Sequence, residues 1–201
     1  MTLFGFFRRT PPIRDKTALA DFIDEQAAFL VQKGMYEYSR ARAGPHAKKM
    51  MFEDEFHRRI DESRWTAYPL GLAMVAEMVE GVLHPHAPDR HALLEALSSL
   101  VLGIFDRYPQ PAALGVEAWA AARADLALRL ARIAAHPPKR VIDIPEPYAE
   151  KIFKLMPIHE SMRSPDTPTT RNFLKLNLVH MHEELRKRIE AGAMARLLIS
   201  G

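Results

Sequence analysis

The run from Tyr68 to His84, YPLGLAMVAEMVEGVLH, constrains the fold more than any other stretch of the chain. It is apolar on nearly every face, and its acids are Glu77 and Glu80 alone. A helix that is apolar all round has to be enclosed by protein or by lipid. Lipid is disfavoured, because the uncharged run is shorter than the roughly 20 residues that cross a bilayer, and two acids would be costly there. The segment therefore reads as the central helix of an all-α bundle.

The flanking sequence supplies the helices to surround it. Asp15 is placed to cap a first helix over Lys16–Arg42, with Leu19, Phe22, Ile23, Gln26 and Leu30 on one stripe. Gly34 is a candidate bend, and Gly44-Pro45 a stop. A mixed helical stretch follows from His46 to Trp65, its buried side marked by Phe52, Phe56 and Ile60. Pro69 should kink the chain or restart it as the central helix. His84-Pro85-His86-Ala87-Pro88 then ends that helix.

The pattern is cleanest over Asp89–Arg107, where Leu93, Leu97, Leu100, Val101 and Ile104 share a face. An alanine-rich helix runs after Gly115 to about Ala135, with Trp119, Ala122, Leu126, Leu130 and Ile133 inward. Residues 137–147 read as an extended connection over the bundle, and a short helix is expected from Tyr148 to Met156. Thr167 and Pro168 suit the cap and first position of a last long helix ending near Glu190. Gly192 separates a final apolar turn, Met194–Ile199. The sum is about six or seven helices in a single domain over 1–201, a length that supports one core.

Charge and cysteine content bound the function. A net charge of +3 is mildly basic, and its densest cluster, Arg186-Lys187-Arg188, follows Glu183 and Glu184 as on a solvated helix face. Nucleic acid is not an expected partner. With no cysteine, disulfides and thiolate chemistry are excluded, and a cytoplasmic setting is the simplest reading. Residues 1–14 form an aromatic and basic arm, in which Met1-Thr-Leu-Phe-Gly-Phe-Phe-Arg-Arg resembles no secretory signal. Packing of this arm in a groove is favoured over peripheral contact with a membrane, since one short segment binds lipid weakly.

One constellation could carry chemistry. Glu77, Glu80 and His84 lie at i, i+3 and i+7 on the central helix, behind Ala73. Buried carboxylates need hydrogen-bonding or cationic partners. Tyr36, Tyr38, Arg40 and Arg42 are the candidate side chains, making a polar pocket of Glu77, Glu80, His84, Tyr36, Tyr38 and Arg40. No cofactor is the first expectation. The alternative is a di-iron or other divalent metal held by Glu77, Glu80 and His84 with His180 and Glu184, as helical bundles hold such ions. The paired Glu-x-x-His of those bundles is missing, and Asp54-x-x-His57 is a lone acid variant. Phosphate-binding Gly loops, the G-x-S-x-G elbow, H-E-x-x-H and a helix-turn-helix reader are all absent.

Three stretches carry a resemblance: Leu3-Phe-Gly-Phe-Phe-Arg-Arg, Phe29-Leu-Val-Gln-Lys-Gly with Tyr38-Ser-Arg-Ala-Arg-Ala-Gly, and Trp65-Thr-Ala-Tyr-Pro-Leu-Gly-Leu-Ala-Met-Val-Ala-Glu. Through them the chain resembles a small family of uncharacterised all-helical bacterial proteins. The resemblance implies an all-helical fold and no mechanism. Such proteins are sometimes labelled esterase, but no residue here matches an esterase motif. Two functions follow as expectations: a cytoplasmic binding or interaction protein, with a homodimer among its forms, or an enzyme using the carboxylate and histidine site for acid–base or metal chemistry.

Overall fold

The computed structural model describes residues 11–157 and 167–200. They form an all-α bundle: α1 (Lys16–Ala43), the single-turn α2 (Ala47–Met50), α3 (Asp54–Leu83), α4 (Arg90–Phe105), α5 (Val116–Ile133), α6 (Glu146–Lys154), α7 (Thr167–Arg188) and α8 (Ala191–Ile199). No strand is present among the described residues, apart from an isolated parallel bridge between Ile13 and Ile189. The expected arm lies outside them from Met1 to Thr10, as do His159-Glu160 and the loop after Met162. Its last residues pack on the bundle: Ile13 is buried and its N–H donates to the Arg188 carbonyl at 2.8 Å.

The helix starts and stops follow local chemistry. Asp15 Oδ1 accepts from the Ala18 N–H at 2.8 Å and caps α1. Gly44 ends that helix at φ 51°, a backbone state that glycine adopts without a Cβ clash. Asp89 caps α4 through the His91 and Ala92 N–H groups, and Glu190 caps α8 through Ala193.

The central segment is longer than the sequence suggests. Pro69 neither kinks the chain into two helices nor restarts it, and α3 runs unbroken for 30 residues. An interior proline costs about 3 kcal/mol. Every residue from Ala67 to Glu80 is buried, and burial of each large apolar side chain returns roughly 1.5–3 kcal/mol. Packing on all sides therefore outweighs the lost backbone bond. Phe52 is also corrected: it is 78% exposed, because α3 begins at Asp54 and leaves it in the preceding turn, whereas Phe56 is buried. The connection over 137–147 contains a 3-10 turn at Val141–Asp143, and α6 begins at Glu146, with Pro147 in its first turn where no N–H is required.

Around α3, α1 forms an antiparallel partner. The Tyr36 hydroxyl meets Met51 Sδ near the connection, and Asp24 meets Tyr68 further along. The two helices approach closely at Gly71, where a Cβ would lie 2.8 Å from the Ala27 carbonyl oxygen. Gly34 does similar work against α7, where a Cβ would lie 2.8 Å from the Phe173 ring. By length and composition α3 could cross a membrane, yet 89% of its most apolar window is buried inside the protein.

Candidate functional site

The polar line on α3 is matched by cations that follow it in the chain. Glu80, fully buried, accepts from Arg90 Nε at 2.7 Å. The same guanidinium donates to the Ile133 carbonyl at 3.2 Å, so one arginine joins α3, α4 and the end of α5. Glu77 Oε1 lies 2.8 Å from Lys139 Nζ, an ion pair outside hydrogen-bonding geometry, with His136 Nε2 at 3.7 Å. Tyr148 and Arg129 extend the seam. Arg129 is bound to Asp125 at 2.7 Å and sits 5.4 Å from the Tyr148 ring centre. Burial pushes the Tyr148 hydroxyl pKa up, and the negative charge of Glu77 adds to the shift.

The other residues of the sequence-derived pocket do not join this line. Tyr36 is exposed at Met51, Arg40 pairs with Glu37 at 2.6 Å, and Tyr38 packs its ring edge-on to Phe153. On α7, His180 is exposed and Glu184 accepts from Arg188 at 2.6 Å. Among the described residues no three His, Asp or Glu side chains converge as a metal-ligand group. Glu77, Glu80 and His84 share one face, as their spacing requires, but the cavities described below are lined by none of them. Among the described residues, His84 Nδ1 and Glu80 Oε2 are buried without a hydrogen-bond partner.

A cavity of about 230 Å³ opens instead between α1, α3 and the segment after α4. Its walls are Trp65, Tyr68 and Tyr108, with Ala28, Val31, Gln32 and Arg64. The three rings meet edge to face, with centroid separations of 5.3 Å for Trp65–Tyr108, 5.5 Å for Tyr68–Tyr108 and 5.8 Å for Trp65–Tyr68. This is the favoured geometry for aromatic quadrupoles. Behind them Phe105 and Trp119 stack at 4.1 Å.

One carboxylate sets the arrangement. Asp24 accepts from the Tyr68 hydroxyl at 2.6 Å and from the Tyr108 hydroxyl at 2.9 Å. Arg107 Nη1 stands 3.7 Å from it and supplies balancing charge. Burial, then the hydrogen bond to Asp24, raises the pKa of both tyrosines. Both hydroxyls thus stay protonated and keep donating. Arg64 lies 5.1 Å from the Trp65 ring centre at the edge of the space. Sequence reasoning missed this cup. Its signals are Trp65 and Tyr68 three apart on one helix, and Asp24 beside the apolar stripe of α1.

No family model, curated protein or solved structure matches the chain.

Proposed function

We propose that this chain is a binding protein for a small planar molecule carrying an anionic group. The supporting observation is the cup of Trp65, Tyr68 and Tyr108, whose walls are locked before any ligand arrives by two hydrogen bonds to Asp24. Rigid aromatic walls cost little ordering entropy on binding. Arg64, whose Nε stands 3.1 Å from Asp61, and Gln32 line the space and offer their remaining N–H donors to an anionic or carbonyl group, while the ring faces and Val31 accept an apolar body. Concave sites of this make-up, mostly apolar with a few placed polar groups, are where small ligands bind. Acid–base or metal chemistry on α3 is the weaker reading, since Glu77 and Glu80 are both held in ion pairs.

The test uses Trp119→Phe, which leaves Trp65 as the one tryptophan in the chain. Phenylacetate, phenylacetamide and phenethylamine share a ring and differ in charge. Saturable change of Trp65 emission is expected with phenylacetate, and Arg64→Gln should weaken it about tenfold, the scale of a charge-assisted hydrogen bond. No saturable response to any of the three would remove the cup as a ligand site. Equal affinity for all three would remove the anionic group.

A further inference from the structure

A second cavity, of about 280 Å³, lies between α1, α6 and α7. Leu30, Ile152, Met156, Phe173 and Leu174 make it mainly apolar. The space is open on one side, beside the tight helix contact at Gly34 and Phe173, and a concave, mostly apolar lining with a few polar groups is the make-up of small-ligand sites. A second observation says what the occupant carries. Thr170 lines the cavity, is 4% exposed, and its Oγ1 has no hydrogen-bond partner among the described residues. A buried hydroxyl is normally paired, and this one lines the cavity unpaired.

The charge at the rim narrows the ligand class. Glu37 lines the cavity and binds Arg40 at 2.6 Å, so the near charge is a carboxylate already matched by a cation. An anionic head would meet Glu37, and a cationic head would have to displace Arg40. We infer that this cavity binds a neutral aliphatic molecule with one hydrogen-bonding group, that group paired with Thr170 Oγ1 and the chain lying along Leu30, Ile152 and Leu174. At about 30 Å³ per water the space holds roughly nine water-sized groups, which is the size of an eight-carbon alcohol.

The experiment titrates the full chain with 1-octanol, octanoate and octylamine by calorimetry. Octanol should bind saturably with one site, at least tenfold tighter than either charged analogue. Ala41→Phe, on the exposed rim, should abolish octanol binding while leaving phenylacetate binding at the aromatic cup unchanged. Thr170→Val should weaken octanol about fivefold to tenfold, and Thr170→Ser, which keeps the hydroxyl, should retain it. No saturable octanol binding, or binding that survives Ala41→Phe, overturns the site. Octanoate or octylamine binding as tightly as octanol overturns the neutral head, and Thr170→Val or Thr170→Ser behaving otherwise overturns the role of the hydroxyl.

Discussion

Arg90→Ala isolates the ion pair that ties three helices together. Its partner Glu80 is 1% exposed at the side chain, while Arg90 is 29% exposed. Removing one member of a fully buried pair costs about 3–5 kcal/mol, because the remaining charge is stranded. Water reaching the guanidinium discounts that figure, whereas the lost donor to the Ile133 carbonyl adds about 0.5–1.5 kcal/mol. The expected destabilisation is about 3 kcal/mol, which lowers the melting temperature by about 6–12 °C for a chain of this length. Urea unfolding followed by helical circular dichroism reads it as a lower midpoint with unchanged slope. The double variant Glu80→Met/Arg90→Met removes both charges and fills the space with similar volume, so it should recover most of the loss. Arg90→Ala within about 0.5 kcal/mol of the parent would refute the reasoning, since surface pairs contribute that little. So would a double variant no more stable than Arg90→Ala, because the cost would then not be a stranded charge.

Two glycine substitutions should act in opposite directions. Gly71→Ala should destabilise by about 1–3 kcal/mol in thermal unfolding, because its Cβ meets the Ala27 carbonyl oxygen, which is backbone and cannot swing away. Gly103→Ala, in the last turn of α4 with nothing within 4 Å, should stabilise by about 0.5 kcal/mol. Alkaline pH should weaken the fold. Tyr68 and Tyr108 have pKa values raised in the folded state, so their contribution is complete below the unfolded tyrosine value of about 10 and is lost as pH rises through it towards the folded values. Urea midpoints between pH 8 and pH 11 measure the loss, and a Tyr68→Phe chain that falls as steeply as the parent would argue against this cause.

Much of the architecture was legible in the sequence, because burial on one helix leaves a periodic trace. The stripe on α1 from Leu19 to Leu30, the face of α4 from Leu93 to Ile104, and the Asp15 cap are local facts. Pro69 and Phe52 misled for a common reason: local propensity is weaker than tertiary packing, which carried α3 through one and ended short of the other. The partners of the carboxylates were harder. Tyr36, Tyr38 and Arg40 were plausible by chemistry, but α1 and α3 are antiparallel and meet at Asp24 and Tyr68. From that level Tyr38 lies roughly 21 Å along one direction and Glu80 roughly 18 Å along the other, at about 1.5 Å per residue. The short connection after Ala43 already implied this reversal. Arg90 was equally within reach, since the brief turn after His84 returns the chain beside the last turns of α3. Lys139 and His136 were not, because no pattern fixes where an irregular connection crosses a helix.

The three buried or half-buried acids show why a polar residue in a core is an incomplete signal for a site. Glu77 and Glu80 are matched by cations on long, flexible side chains, which can lay their methylenes along an apolar surface, and neither acid lines either cavity. The result is a closed seam. Asp24 is matched chiefly by hydroxyls on aromatic rings, whose flat, stiff bodies turn edge to face and leave a gap between their walls and α1. The same need to satisfy a carboxylate thus seals one region and shapes a cavity in another. What distinguishes them is the stiffness and shape of the partner, so an acid near paired Trp and Tyr is the stronger pointer to a binding site than an acid on the most apolar helix.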